Sequence, residues 1–235
     1  MPRSAVAVLL LFASARPAPA QTPYRVTWWD AASVGTAGVI AVLPVALKLP
    51  HGLPSCAPCD PASLPGIDRA GLHTFSRGAS TASTVLLAGV VGVAGFAGLH
   101  DRDPAQARGN AAVLLNSLAW TQAATEWLKV AVHRNRPILY TTDAAAAASQ
   151  PESRQSFPSG HASVAFAAAT CYLAMARREQ LPHRGRTAAL LYAGATAVAA
   201  LRVAGGKHFP TDVIGGAVLG SAIGWLVARV HGAVP

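Results

Sequence analysis

Three clusters bring together the residue types needed to hold an anion and to move protons around it. The first is Lys129, followed after six residues by Arg136-Pro137. The second is Phe157-Pro158-Ser159-Gly160-His161, and the third is Arg202, then His208 after five residues and Asp212 after three more. Pro158 cannot continue a helix arriving from its N-terminal side, so Ser159 and Gly160 fall at a turn and a new helix can start beyond them. Unpaired backbone N–H groups at such a start bind anions. Gly160 lets the backbone approach an oxygen closely, Ser159 adds a hydroxyl donor, and His161 has a side chain whose unperturbed pKa lies near neutrality. Alone, Pro-Ser-Gly-His is equally an ordinary turn with a capping histidine. Asp212 likewise reads either as an orienting carboxylate or as a simple helix N-cap.

Together the clusters closely resemble the signature of the type 2 phosphatidic acid phosphatase superfamily, which runs Lys-x6-Arg-Pro, then Pro-Ser-Gly-His, then Ser-Arg-x5-His-x3-Asp. The resemblance extends from about Lys129 to the C-terminus. One position departs: the serine before the third-cluster arginine is Leu201, which removes one phosphate hydrogen bond and leaves the proton-transfer residues in place. The resemblance implies that His208 attacks phosphorus to give a phosphohistidine, that Asp212 holds its imidazole in the productive tautomer, and that His161 protonates the departing alkoxide. It also implies that Lys129, Arg136, Arg202, Ser159 and Gly160 hold the phosphate. Each charge-assisted hydrogen bond to such an anion contributes roughly 1.5 to 3 kcal/mol.

The activity implied is that of a phosphoric monoester hydrolase, with no metal and no cofactor, acting on a lipid phosphate or pyrophosphate. Phosphatidic acid, phosphatidylglycerol phosphate, undecaprenyl pyrophosphate and lipid A phosphate are the implied substrates. The alternatives are a secreted acid phosphatase of the same superfamily, a vanadium-dependent haloperoxidase, and a non-catalytic phospholipid-binding membrane protein. No Gly-x-Ser-x-Gly elbow surrounds Ser159 to make it a serine-hydrolase nucleophile, and no acidic cluster points to a metal site.

The elements that must position these residues are apolar. At 52% hydrophobic and 12% charged, with a mean hydropathy of +0.35, the chain is too apolar for an ordinary soluble domain. Low aromatic content and abundant small residues favour packed helices over an aromatic-girdled barrel. The net charge of +9 lacks basic runs interleaved with aromatics, so it points to membrane topology and anionic lipid or phosphate, not nucleic acid. Apolar stretches run from Ala31 to Leu49, interrupted by Pro44, then Ser80 to Leu99, Ala111 to His133, Ala162 to Ala176, Ala188 to Val203 and Val213 to Val230. The expected fold is all-α: a polytopic helical membrane protein with five or six transmembrane helices in a bundle and the site at one membrane face. The oligomeric state is left open.

Residues 1–20 resemble a secretory signal, with Arg3, an apolar run and Ala18-Pro19-Ala20, ahead of a single domain over 21–235. The Arg177 to Arg186 loop holds four arginines and is expected to be cytoplasmic. The three clusters then face the periplasm or cell exterior of a bacterial-type inner membrane. A cleaved signal conflicts in parity with a spanning first stretch, so residues 31–49 are expected to lie at the interface or re-enter, against the six helices the resemblance implies. Cys56 and Cys59 are expected to form a local disulfide, and Cys171 to be a core residue. Gln122, Glu126, Lys129 and His133 share one helical face, as a cavity wall or as a structural Glu126 to Lys129 ion pair. His133 and Arg134 are expected to be solvated or to contact headgroups. Gly89, Gly92, Gly95 and Gly98, and the Gly216, Gly220, Gly224 ridge, are expected to allow close helix approach.

Overall fold

The computed structural model describes residues 24–72 and 74–233; the expected leader over residues 1–20 lies outside them. All regular structure among the described residues is helical. Six long helices form the body: α1 (Trp28–Ala46), α3 (Arg77–Leu99), α4 (Pro104–Val132), α6 (Gly160–Arg178), α7 (Arg184–Ala204) and α8 (Pro210–Ala233). Two four-residue helices, α2 (Gly66–Arg69) and α5 (Ala144–Ala147), sit in the two long connections at one end.

Local chemistry sets several helix starts. Asp103 accepts from the N–H groups of Ala105 and Gln106 ahead of Pro104, a residue pre-set for the first helical position. Ser76 caps α3 by accepting from Ala79 N–H. Pro210 opens α8, and Asp212 in its first turn reaches back to the Phe209 N–H at 2.8 Å.

The bundle is built with its polarity inverted relative to a soluble protein. Asn110, Asn116, Ser117, Thr121, Thr125 and Glu126 are all buried along α4, while Val85, Val93 and Phe96 of α3 and Ile214, Val218 and Trp225 of α8 are exposed. An apolar exterior around a polar interior face is stable where hydrocarbon is the solvent. Four helices, α1, α3, α7 and α8, are long and apolar enough to cross a membrane by length and composition. The protein is a helical membrane bundle. α6 runs through its middle, packed on α3, α4, α7 and α8, and most of its buried residues are alanines and other small side chains.

The first apolar stretch joins the bundle as one full-length helix, among the four long and apolar enough to cross a membrane. α1 continues through Pro44 and runs parallel to α4, with the Trp120 indole N–H on Ser33 Oγ and the Trp127 indole N–H on the Ile40 carbonyl, both at 2.9 Å. Its N-terminal end is tied to the last turn of α8 by Asp30 and His231 at 2.8 Å. Pro44 has no N–H to offer the Ile40 carbonyl four residues back, and that carbonyl accepts from the Trp127 indole instead.

The α8 glycine ridge packs as expected. A Cβ on Gly216 would stand 2.6 Å from the Ser159 carbonyl oxygen, one on Gly224 2.7 Å from the Ala167 carbonyl oxygen, and one on Gly220 would collide with the Ser163 backbone. The α3 glycines differ: nothing lies within 4 Å of a Cβ on Gly89 or Gly92, while Gly95 and Gly98 meet only side chains of Leu114 and Met175. Glycine at 89 and 92 therefore faces open space, and the close approach on that side is made by Gly194 of α7 against Val90.

Candidate active site

The C-terminal ends of α4 and α7 and the N-terminal ends of α6 and α8 meet at one end of the bundle, and all three clusters meet there. A cavity of about 300 Å³ is lined by Lys129 from α4, Arg136 from the following loop, Gly160 and His161 from the start of α6, Arg202 from the end of α7, and His208. Ser159 caps α6 by position, yet its buried hydroxyl makes no cap bond and has no partner; the same is true of the Nε atoms of Arg136 and Arg202. Buried donors are ordinarily paired, so three unpaired donors in these clusters mark a place for an acceptor. A Cβ at Gly160 would lie in ordinary contact with Thr125 Cγ2 at 3.5 Å and Lys129 Nζ at 3.6 Å, beside the cation that faces the cavity.

Charge points the same way. Glu126 accepts from Lys129 Nζ at 2.7 Å and from Gln122 Nε2 at 2.8 Å. Three cations (Lys129, Arg136, Arg202) and this one carboxylate line the cavity, an excess of positive charge that suits a phosphate monoester dianion, with Glu152 and Asp212 acting on Arg136 from outside the lining. Burial pushes the Arg136 guanidinium down from its ordinary value, the sign of a cation deprived of water without a full counter-charge.

His208 is almost fully buried in the turn before α8, and its Nδ1 lies 2.7 Å from the Ser156 carbonyl. A carbonyl only accepts, so Nδ1 carries the proton and Nε2 keeps its lone pair. Asp212 is not the direct partner: its carboxylate stands 3.9 Å from Nδ1. It accepts instead from Ser156 Oγ at 2.5 Å, from Phe209 N–H at 2.8 Å and from Arg134, so its link to the imidazole runs through Ser156. Burial, with Arg136 and Arg202 nearby, drives His208 well below its ordinary pKa. If His208 must be neutral to react, kcat/KM stays level as pH falls through 6.5, where an exposed histidine would already lose activity. A kcat/KM profile from pH 5 to 8 checks this; a tenfold drop per unit beginning near 6.5 would refute it. His161 Nε2 lies 3.1 Å from Thr84 Oγ1 of α3, which places that ring at the cavity wall.

Three side chains near the site were not anticipated in these roles. Arg134, expected in solvent, is only 21% exposed and bridges Asp212 and Asp68. Asp68, from α2 in the distant first loop, is completely buried. Ser83 of α3 places its hydroxyl 3.4 Å from Arg202 Nη1, giving that arginine a hydroxyl neighbour where Leu201 cannot. His133 leaves the face of Gln122, Glu126 and Lys129, because it ends α4 in the left-handed conformation and is exposed. The Cys56–Cys59 disulfide is formed. It packs on the loop after α4, where Asn135 Nδ2 lies 3.3 Å from Cys59 Sγ and Cys59 N–H donates to the Leu139 carbonyl at 2.7 Å.

Fold and cavity together define a helical-bundle membrane protein with a cation-lined cavity at one end, beside a histidine with a free lone pair. The chain belongs to the PAP2 superfamily, whose family model matches residues 110–234. Phosphatase activity is what that membership supports. Comparison with curated proteins and with solved structures gives no match.

Proposed function

We propose that the protein is a metal-independent lipid-phosphate phosphatase that works through a phosphohistidine. The observation that carries the reading is the cavity itself: cations in excess of carboxylates, with unpaired buried donors, are gathered around a histidine whose Nδ1 is occupied by a carbonyl. The Nε2 lone pair of His208 attacks phosphorus as the ester P–O bond breaks. His161 delivers a proton to the leaving alkoxide, then takes one from the water that cleaves the phosphohistidine, releasing orthophosphate and restoring both rings. Lys129, Arg136 and Arg202 stabilise charge on the equatorial oxygens, with Ser159 and the α6 N-terminus.

What supports a lipid substrate is the cavity's place at the end of a bundle with an apolar exterior, within reach of a headgroup. The extracytoplasmic face is supported by the disulfide at the cavity end and the four-arginine Arg177 to Arg186 loop at the other. The test is phosphate release by the detergent-purified protein, in EDTA, from a panel of lipid phosphates and pyrophosphates and one soluble ester. Release confined to a lipid class supports the reading; release from the soluble ester alone, or loss of all activity in EDTA, would overturn it. Arg202→Gln, which keeps bulk and removes charge, is expected to lower kcat/KM about 10²-fold, as loss of an oxyanion donor does. Steady-state kinetics on the preferred lipid measures it, and a change below threefold would remove Arg202 from the phosphate shell.

A further inference from the structure

Asp68 lies outside the family-matched residues and outside all three motifs, yet it is wholly buried against the site's support. Its Oδ2 takes Arg134 Nη2 at 2.6 Å, and its Oδ1 takes the N–H and hydroxyl of Thr211, each at 3.0 Å. Arg134 Nη1 meanwhile donates to Asp212 and, at 2.6 Å, to Thr211 Oγ1, and its guanidinium lies 4.9 Å over the Phe209 ring. The Arg134 carbonyl also accepts from Ser156 N–H at 2.9 Å. A closed ring results: Arg134 to Asp212, Asp212 to Ser156 Oγ, Ser156 N–H back to Arg134. The one carbonyl of that ring that faces His208 is Ser156's.

We propose that Asp68, acting through Arg134, is a positioning residue for His208: it fixes the guanidinium that holds Asp212, and so fixes the Ser156 carbonyl that aims the imidazole. The inference rests on the reading of His208 as the nucleophile. Two buried carboxylates 144 residues apart in sequence, Asp68 and Asp212, share one guanidinium. Neither can be buried cheaply without it, and a planar fork satisfies both where an ammonium reaches one. Through this clamp the first loop, which belongs to none of the long helices, becomes part of the site's rigid frame. Aim matters because a displacement of about 1 Å at the reacting atom costs on the order of 10²-fold in rate.

Asp68→Asn keeps size and an acceptor for Thr211 but turns an amide N–H₂ toward Arg134, donor against donor. Arg134→Lys keeps the charge and loses the bridge, and it serves if the asparagine variant does not fold. Both are expected to lower kcat about 10- to 100-fold while KM stays within about threefold, because the cavity cations are untouched. Orthophosphate is expected to inhibit as in the unaltered protein. Vanadate, whose five-coordinate form takes an axial bond from His208 Nε2, is expected to inhibit more weakly by a factor similar to the loss in kcat. Unchanged kcat in either folded variant overturns the proposal. So does equal weakening of orthophosphate and vanadate, which marks collapse of the cavity and not loss of aim. The unaltered protein separates the two readings: if it shows no release that depends on His208, the nucleophile assignment falls with the clamp, whereas normal release with indifferent variants removes the clamp alone.

Discussion

His208→Ala is expected to lower phosphate release on the order of 10⁵-fold while the protein stays folded and still binds orthophosphate, because nucleophiles that act as part of a unit show losses of that size. The cations that hold phosphate come from α4, α7 and the loop after α4, none of which His208 supports, so ground-state binding survives. What disappears is the covalent path, and water has no positioned base to replace it. The loss therefore exceeds the effect of removing any one cation by about a thousandfold. Phosphate release, orthophosphate inhibition and circular dichroism measured on the same sample decide it. An acid-labile, base-stable phosphoenzyme seen in the unaltered protein and missing in the variant identifies the intermediate. Retention of more than about 1% of turnover in a folded His208→Ala protein would remove it as nucleophile.

The second large effect is on the bundle. Gly220→Ala sets two terms against each other. Alanine gains about 1 kcal/mol of helix propensity over glycine, but its Cβ collides with the Ser163 backbone, and overpacking costs about 1 to 3 kcal/mol even where side chains can give way. Helical backbone in the first turn of α6 cannot rotate aside as a side chain can, so the collision wins and α8 must move off α6. That displaces the N-terminal ends of both helices, where Gly160, His161 and Asp212 reside. Gly220→Ala is expected to unfold at lower temperature in detergent and lose activity, and Gly220→Leu to yield no folded protein. Gly89→Ala, made into open space, is expected to be neutral or slightly stabilising. Thermal unfolding of the three variants side by side checks the ordering; equal stability of Gly220→Ala and Gly89→Ala would contradict the packing argument.

The cavity's residues were legible because motif spacing is a local property: Lys129 and Arg136, or His208 and Asp212, stay near one another whatever the rest of the chain does. Their convergence followed from helix ends and loop charge. What stayed hidden is what depends on distant segments. Nothing near Asp68 marks it as a partner of Arg134, and Arg134 beside His133 looks like any basic residue at a membrane boundary. The role of Asp212 was read one bond too short, because the Ser156 carbonyl that intervenes is backbone and carries no signature in a side-chain pattern. Pro44 and the parity of the leader set the first stretch apart from the others in the sequence, whereas its contacts with two indoles of α4 place it alongside them in the bundle. The α3 glycines share the small-residue pattern of α8 and differ only in what faces them.

Glu126 bears on how the site lets go. Lys129 already has a carboxylate partner at 2.7 Å, so any phosphate that takes Lys129 competes with it, and this applies to the departing orthophosphate as much as to the arriving ester. On the proposed mechanism, three cations without Glu126 would hold both more tightly, and tighter holding of a product slows the next cycle. The carboxylate would then act as a brake on product retention, trading ground-state affinity for turnover.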